Sequence, residues 1–161
     1  KIISEGIQGK VNEIHGVECP IYYDSPKGWA GTADLVATYE SQLSICDFKQ
    51  KNSIMKESYS SYHEYMTQIS GYSLAHDKLF GSTITQGVIL LATTDLVFQI
   101  FRIDHVKLKE YQQKFLDRVE QYYSLINNWL IRFKLQCNLF LAFHLSFFQQ
   151  IFLHHHQHFF L

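Results

Sequence analysis

The chain has 161 residues, 47% of them hydrophobic and 18% charged, with a net charge of −1. That length holds one domain with a real core, and the composition excludes disorder, collagen and a disulfide scaffold, while the balanced charge means that any polyanion must be gripped locally. Cys19, Cys46 and Cys137 include no CxxC pair, which fits a reducing compartment and excludes a zinc ribbon or a four-cysteine iron–sulfur cluster within the chain.

In chain order, Glu18 to Tyr23 suits a strand, and Asp24-Ser25-Pro26-Lys27-Gly28 is a turn with Pro and Gly in favoured places. Trp29 to Tyr39 is predicted as a second strand, with Ala33, Leu35 and Ala37 on one face and Thr32, Asp34 and Thr38 on the other. A hairpin at Glu40-Ser41-Gln42 leads to a third strand, Leu43 to Gln50, where Asp47 and Lys49 point to the same side. The period then changes. Glu57 to Phe80 sets Tyr65, Ile69, Tyr72, His76 and Leu79 at helical spacing, and Gly81 supplies a stop. Thr83 to Thr93 contains the apolar run Val88-Ile89-Leu90-Leu91-Ala92 of a central strand covered on both faces, and Leu96 to Ile103 follows as a fifth strand. Lys107 to Asn127 is an amphipathic helix with Leu108, Tyr111, Phe115, Val119 and Tyr122 on one stripe. The fold class is α/β with a mixed sheet, in the order β-β-β-α-β-β-α.

The composition breaks after Lys134, beyond which there is no Asp, Glu, Lys or Arg and the sequence is rich in Phe and His. Residues 1–134 are therefore expected as the domain and 135–161 as an atypical tail. Three readings of the tail stand. It is too interrupted by Gln136, Asn138, His144, Gln149 and Gln150 for a good membrane helix. His154, His155, His156 and His158 form a candidate metal tract, though such clusters are usually incidental. The preferred reading is sequence that is not native coding, such as a frameshift. The other end opens on Lys1 without a methionine or signal peptide, and is read as cut from something longer.

Two acids and a lysine carry the chemistry. A tight hairpin brings Asp34 beside Asp47, and two carboxylates from adjacent strands make a hard-oxygen site suited to Mg²⁺ or Mn²⁺. A neighbouring lysine can offset charge developing on a phosphate. Singly, each has a plain structural reading: a surface acid, and a same-face ion pair worth under ~1 kcal/mol.

The series Gly31-Thr32-Ala33-Asp34, Asp47-Phe48-Lys49-Gln50-Lys51 and Gln68-Ile69-Ser70-Gly71-Tyr72 resembles the motifs of RecB-like nucleases of the PD-(D/E)XK superfamily. It is most similar to the mitochondrial genome maintenance exonuclease group and its phage relatives. Ala75-His76-Asp77, Gln86-Gly87-Val88-Ile89 and Phe98-Gln99-Ile100-Phe101 extend the likeness, which runs from about Glu18 to Tyr123. The resemblance implies a restriction-endonuclease-like core that lacks the family's upstream histidine-bearing helix; His15 is in the wrong context to replace it. It implies that Asp34, Asp47 and Phe48 hold metal, that Lys49 is the catalytic lysine, and that Glu18 is the preceding acid. Gln68 and Tyr72 match the QxxxY pair, which shares one helix face and orients the acids or touches substrate. Lys51 and Lys56 are candidates for phosphate contact, with solvated lysine the stronger reading for Lys56. The implied function is an Mg²⁺-dependent exonuclease (Mn²⁺ an alternative) that hydrolyses single-stranded DNA in replication, repair or recombination. An intracellular setting goes with it, either a phage-infected cell or a mitochondrion, with no membrane partner. The alternative is a catalytically impaired nucleic-acid-binding module of the same fold.

Overall fold

The structure, a computed structural model, describes the backbone of residues 2–156 and the side chains of residues 2–132. An opening π-helical turn, Ile2–Ile7, precedes three strands: β1 (Val11–Tyr23), β2 (Trp29–Tyr39) and β3 (Gln42–Lys51). Helix α1 (Ser60–Phe80), strands β4 (Gln86–Thr93) and β5 (Phe98–Ile103), and helix α2 (His105–His156) follow. The five strands form one mixed sheet in the order β1-β2-β3-β4-β5. Only the β3–β4 pairing is parallel, because α1 is the crossover between them. The mixed α/β class and the order of strands and helices are as the sequence predicts.

The described chain divides into two compact units, Lys1–Glu120 and Gln121–Leu161. The first holds the sheet, α1 and the start of α2; the second is helical through His156. The tail read from composition, 135–161, lies outside the residues whose side chains are described. Among the described residues, no helix is long and apolar enough to cross a membrane.

Both sheet faces are covered. On one, Val36, Ile45, Ile89, Leu91 and Ile103 pack with Tyr62, Met66 and Ile69 of α1 and with Leu108 and Tyr111 of α2. On the other, Leu35, Ala37, Tyr39, Cys46, Val88 and Leu90 pack with Ile2 and Ile7 of the opening turn. Tyr39 ties that turn down by donating its hydroxyl proton to the Gly6 carbonyl at 2.8 Å. β4 is the strand buried on both faces, as its apolar run requires. Gly81, at φ 64°, closes α1 in the left-handed conformation that glycine adopts without strain.

Several boundaries differ from expectation: β4 starts at Gln86 and β5 at Phe98 rather than at Thr83 and Leu96, β3 and the start of α2 shift by one or two residues, and the starts of β1 and α1 and the end of α2 differ as well. β1 starts at Val11, because this edge strand exposes Asn12, Glu13, Ile14 and His15 and crosses two register irregularities, which erase the alternation. α1 starts at Ser60, after an extended Tyr59 that makes no side-chain cap, so no capping residue marks the start. α2 runs to His156, past the expected end at Asn127.

Candidate metal centre at a fork between two strands

β2 and β3 pair from Tyr39↔Gln42 to Leu35↔Cys46 and no further. Before Leu35, β2 pairs with β1 alone, from Trp29↔Tyr23 to Ala33↔Cys19. Beyond Cys46, β3 continues against β4 alone, up to Lys51↔Thr93. Extending the register sets Asp34 opposite Asp47, so the two acids sit at the crotch of a fork. One step on, the Phe48 N–H has lost its partner strand. The Asp34 carboxylate takes that place, its Oδ2 accepting from Phe48 N at 2.8 Å. A residue's N–H and C=O point to the same edge of its strand, so the Phe48 carbonyl faces the fork as well.

The side-chain alternation of β2 slips at the same point. Ala33 packs in the α1-side core together with Val36, while Leu35 and Ala37 pack on the opposite face. The expected unbroken alternation, with Ala33, Leu35 and Ala37 on one face, is corrected here. The slip lies beside Glu18, which has a left-handed φ of 49° and falls between the pairs Val17↔Leu35 and Cys19↔Ala33. For a residue with a Cβ that conformation is uncommon and locally reorients the strand. Gly31 serves the same bend: a Cβ there would fall 2.6 Å from Tyr72 Cε1, so only glycine lets α1 approach β2 this closely.

Asp47 is only 2% exposed. Its Oδ2 pairs with the Lys49 ammonium at 2.6 Å. Burial pushes the Asp47 carboxyl above the ordinary aspartate range; Lys49 opposes the rise and Asp34 adds to it. Burial, with Asp47 next door, also pushes the Cys46 thiol up to about 12, which leaves no thiolate ligand beside the acids.

Helix α1 spans the fork with one polar stripe. Gln68 Oε1 accepts from Lys49 Nζ at 3.2 Å, and Gln68 Nε2 donates to the Tyr72 hydroxyl at 2.9 Å. Gln68 therefore meets the β3 arm while Tyr72 meets Gly31 on the β2 arm, which gives the i, i+4 pair a bridging geometry. Two turns earlier on α1, Ser61 Oγ accepts from Lys51 Nζ at 2.8 Å. The Tyr65 ring lies under both amines, its centroid 5.0 Å from Lys49 Nζ and 5.8 Å from Lys51 Nζ. Gln99 of β5 holds the connector before α1 by accepting from Met55 N at 2.7 Å and donating to its carbonyl at 3.0 Å. Lys56 in that connector is exposed.

Asp34, Asp47, Phe48, Lys49, Gln68 and Tyr72 thus form one connected set, with Lys51 adjacent to it. Glu18 lies next to Asp34 in the β1–β2 register, but it is exposed and, among the described residues, joins no group of metal-ligating side chains. Among the described residues no three His, Cys, Asp or Glu side chains gather into a group able to hold a metal. The donor set is two carboxylates plus the Phe48 carbonyl, all hard oxygens of the kind Mg²⁺ and Mn²⁺ take. Asp34 and Asp47 set two carboxylates against the one Lys49 ammonium, a negative balance that a cation would offset, so the residues fit a divalent ion. Sequence reasoning left Ser61 unread and gave Tyr65 only as a residue at helical spacing. The signal for both was their position on the Gln68–Tyr72 stripe of α1, at i, i+4, i+7 and i+11.

No protein-family model matches the chain, and no curated protein matches it in sequence. Among solved structures, a protein from Eubacterium rectale named as a candidate exonuclease superposes with a TM-score of 0.48 at 17% identity, covering 69% of this chain and 43% of its own. The protein SSO0001 superposes with a TM-score of 0.39 at 12% identity, covering 63% of this chain and 49% of its own. This chain spans less than half the length of either. At such scores neither likeness decides a family, and the site stands on its own geometry.

Proposed function

We propose that the fork is the centre of an Mg²⁺-dependent nuclease that hydrolyses phosphodiester bonds of single-stranded DNA from an end. The observation that carries the reading is the convergence of Asp34 on Asp47: a nearly fully buried carboxylate beside a second one, with the Lys49 ammonium at 2.6 Å to offset the charge of only one of them. Ionised carboxylates are costly to bury unless they are paired or hold a metal. Asp34, Asp47 and the Phe48 carbonyl would hold the cation, which when bound supplies Lewis acidity toward the phosphate. Lys49 presents its ammonium beside the two acids, where it offsets negative charge that develops on the phosphate during attack. Gln68 fixes that ammonium, and Tyr72 fixes Gln68. Lys51 stands one β-period further along as a contact for a neighbouring phosphate. The choice of DNA, of single strands and of cutting from an end is supported by the motif resemblance of Asp34, Asp47-Phe48-Lys49 and Gln68-Tyr72.

The test is single-turnover cleavage of an end-labelled single strand with Mg²⁺, Mn²⁺ or Ca²⁺. The reading expects product with Mg²⁺ or Mn²⁺, laddering from one end, and none after Asp47→Asn. A second reading, a nucleic-acid-binding module without catalysis, is favoured by the gathering of only two acids. It wins if the chain binds the strand but leaves it intact with both ions.

A further inference from the structure

We infer that Tyr65 is a positioning residue: its ring holds the Lys49 ammonium at the Asp34–Asp47 fork. The inference rests on the nuclease reading for its catalytic consequence, but not for its geometry. Asp47, Lys49 and Lys51 alternate onto the α1 side of β3, and same-face neighbours on a strand are roughly 7 Å apart. Two ammonium groups at that spacing repel each other, and flexible lysine stems allow either to wander toward the buried carboxylate. The α1 stripe sorts them. Lys49 Nζ pairs with Asp47 Oδ2 at 2.6 Å and donates to Gln68 Oε1 at 3.2 Å, while Lys51 Nζ donates to Ser61 Oγ at 2.8 Å.

The Tyr65 ring lies within cation–π reach of both amines, 5.0 Å from Lys49 Nζ and 5.8 Å from Lys51 Nζ. The ring presents negative quadrupole density to the Lys49 ammonium, which adds to the pull of the Asp47 and Gln68 oxygens. Tyr65 is partly buried and packs against the α1-side core, which holds its ring in place. The hydroxyl has no part in this. Phenylalanine should therefore serve nearly as well, and an aliphatic side chain of similar bulk should not.

The experiment compares wild type, Tyr65→Phe and Tyr65→Leu by NMR of ¹³C-lysine-labelled protein, with the Lys49 signal assigned by its loss in Lys49→Arg. Single-turnover cleavage is measured in parallel. The inference expects the Lys49 ε-methylene protons to be ring-current shifted upfield in wild type and Tyr65→Phe, and unshifted in Tyr65→Leu. It expects Tyr65→Leu to lower the cleavage rate by ~3- to 10-fold at saturating DNA, with Tyr65→Phe restoring most of it. An unshifted Lys49 in wild type overturns the inference whether or not the leucine variant folds. So does a folded Tyr65→Leu that cuts at the wild-type rate. If the shift behaves as expected but no variant cuts DNA, the positioning by Tyr65 stands and the nuclease reading falls.

Discussion

The two halves of β3 are built from one strand and do opposite work. Gln42 to Cys46 is paired with β2 on one side and, from Ser44, with β4 on the other. Ser44, Ile45 and Cys46 there are fully buried. Asp47 to Lys51 keeps β4 but has lost β2. In the closed half, neighbouring strands satisfy the backbone and apolar contacts fill both faces. In the open half, an Asp34 carboxylate substitutes for the missing strand at Phe48 N, and charged groups replace the core. The difference shows how a sheet makes a polar site without a large loop: end one ladder early, and let side chains take over the freed backbone groups.

Breaking the open half at its most buried charge should have the largest effect. Asp47→Asn keeps the shape but removes a charge that the cation needs, so cleavage should fall by at least ~10³-fold, together with metal affinity. Lys49→Ala leaves both acids in place. Metal binding should persist while the rate falls by about 10²-fold, the loss of one electrostatic contact to the transition state. Gln68→Ala removes an uncharged support and should cost less than either.

Stability sharpens the same contrast. Asp34→Ala strips the acceptor from Phe48 N–H and should destabilise by about 1 kcal/mol, with faster hydrogen exchange at the Phe48 amide. Asp34→Asn, which retains an acceptor oxygen, should recover most of that loss while still weakening metal binding. A wild-type exchange rate in Asp34→Ala would show that the carboxylate does not close the strand.

The pH dependence has a definite sign. The folded Asp47 carboxyl titrates above its usual value of 3.8 because burial disfavours its charge. The stability it contributes is therefore complete below that usual value and is lost as pH rises through the folded one. Without metal, Asp47→Asn should be more stable than wild type at neutral pH, and the gap in Tm should close as the solution is acidified toward the unfolded value. Mg²⁺ should raise the Tm of wild type alone.

Much of this was legible in the sequence, for physical reasons that differ by element. β2 was read with the bounds it has, because turns at Asp24–Gly28 and at Glu40–Gln42 mark its two ends, although its alternation slips between Ala33 and Leu35. β4 announced itself by an unbroken apolar run. β1 was half missed because an edge strand has one neighbour and no need to bury its outer residues. The opening turn, Ile2–Ile7, is too short to show a period. At the site, Asp34, Asp47 and Lys49 could be named from their types and spacing. The fork could not be read, since where a ladder ends depends on the twist between strands rather than on any residue in them. Tyr65 was hidden by its own chemistry: a tyrosine at helical spacing reads as core, and only its position under two lysine amines gives it a second task.

The most direct measurement is a Mn²⁺ titration of ¹⁵N-labelled protein, following paramagnetic broadening of each amide in wild type and Asp47→Asn. The account predicts that the amides of Asp34, Asp47 and Phe48 broaden first in wild type, and that this early broadening disappears in Asp47→Asn. Broadening that begins at acids far from the fork, such as Glu40 or Glu110, or that is the same in both proteins, would contradict it.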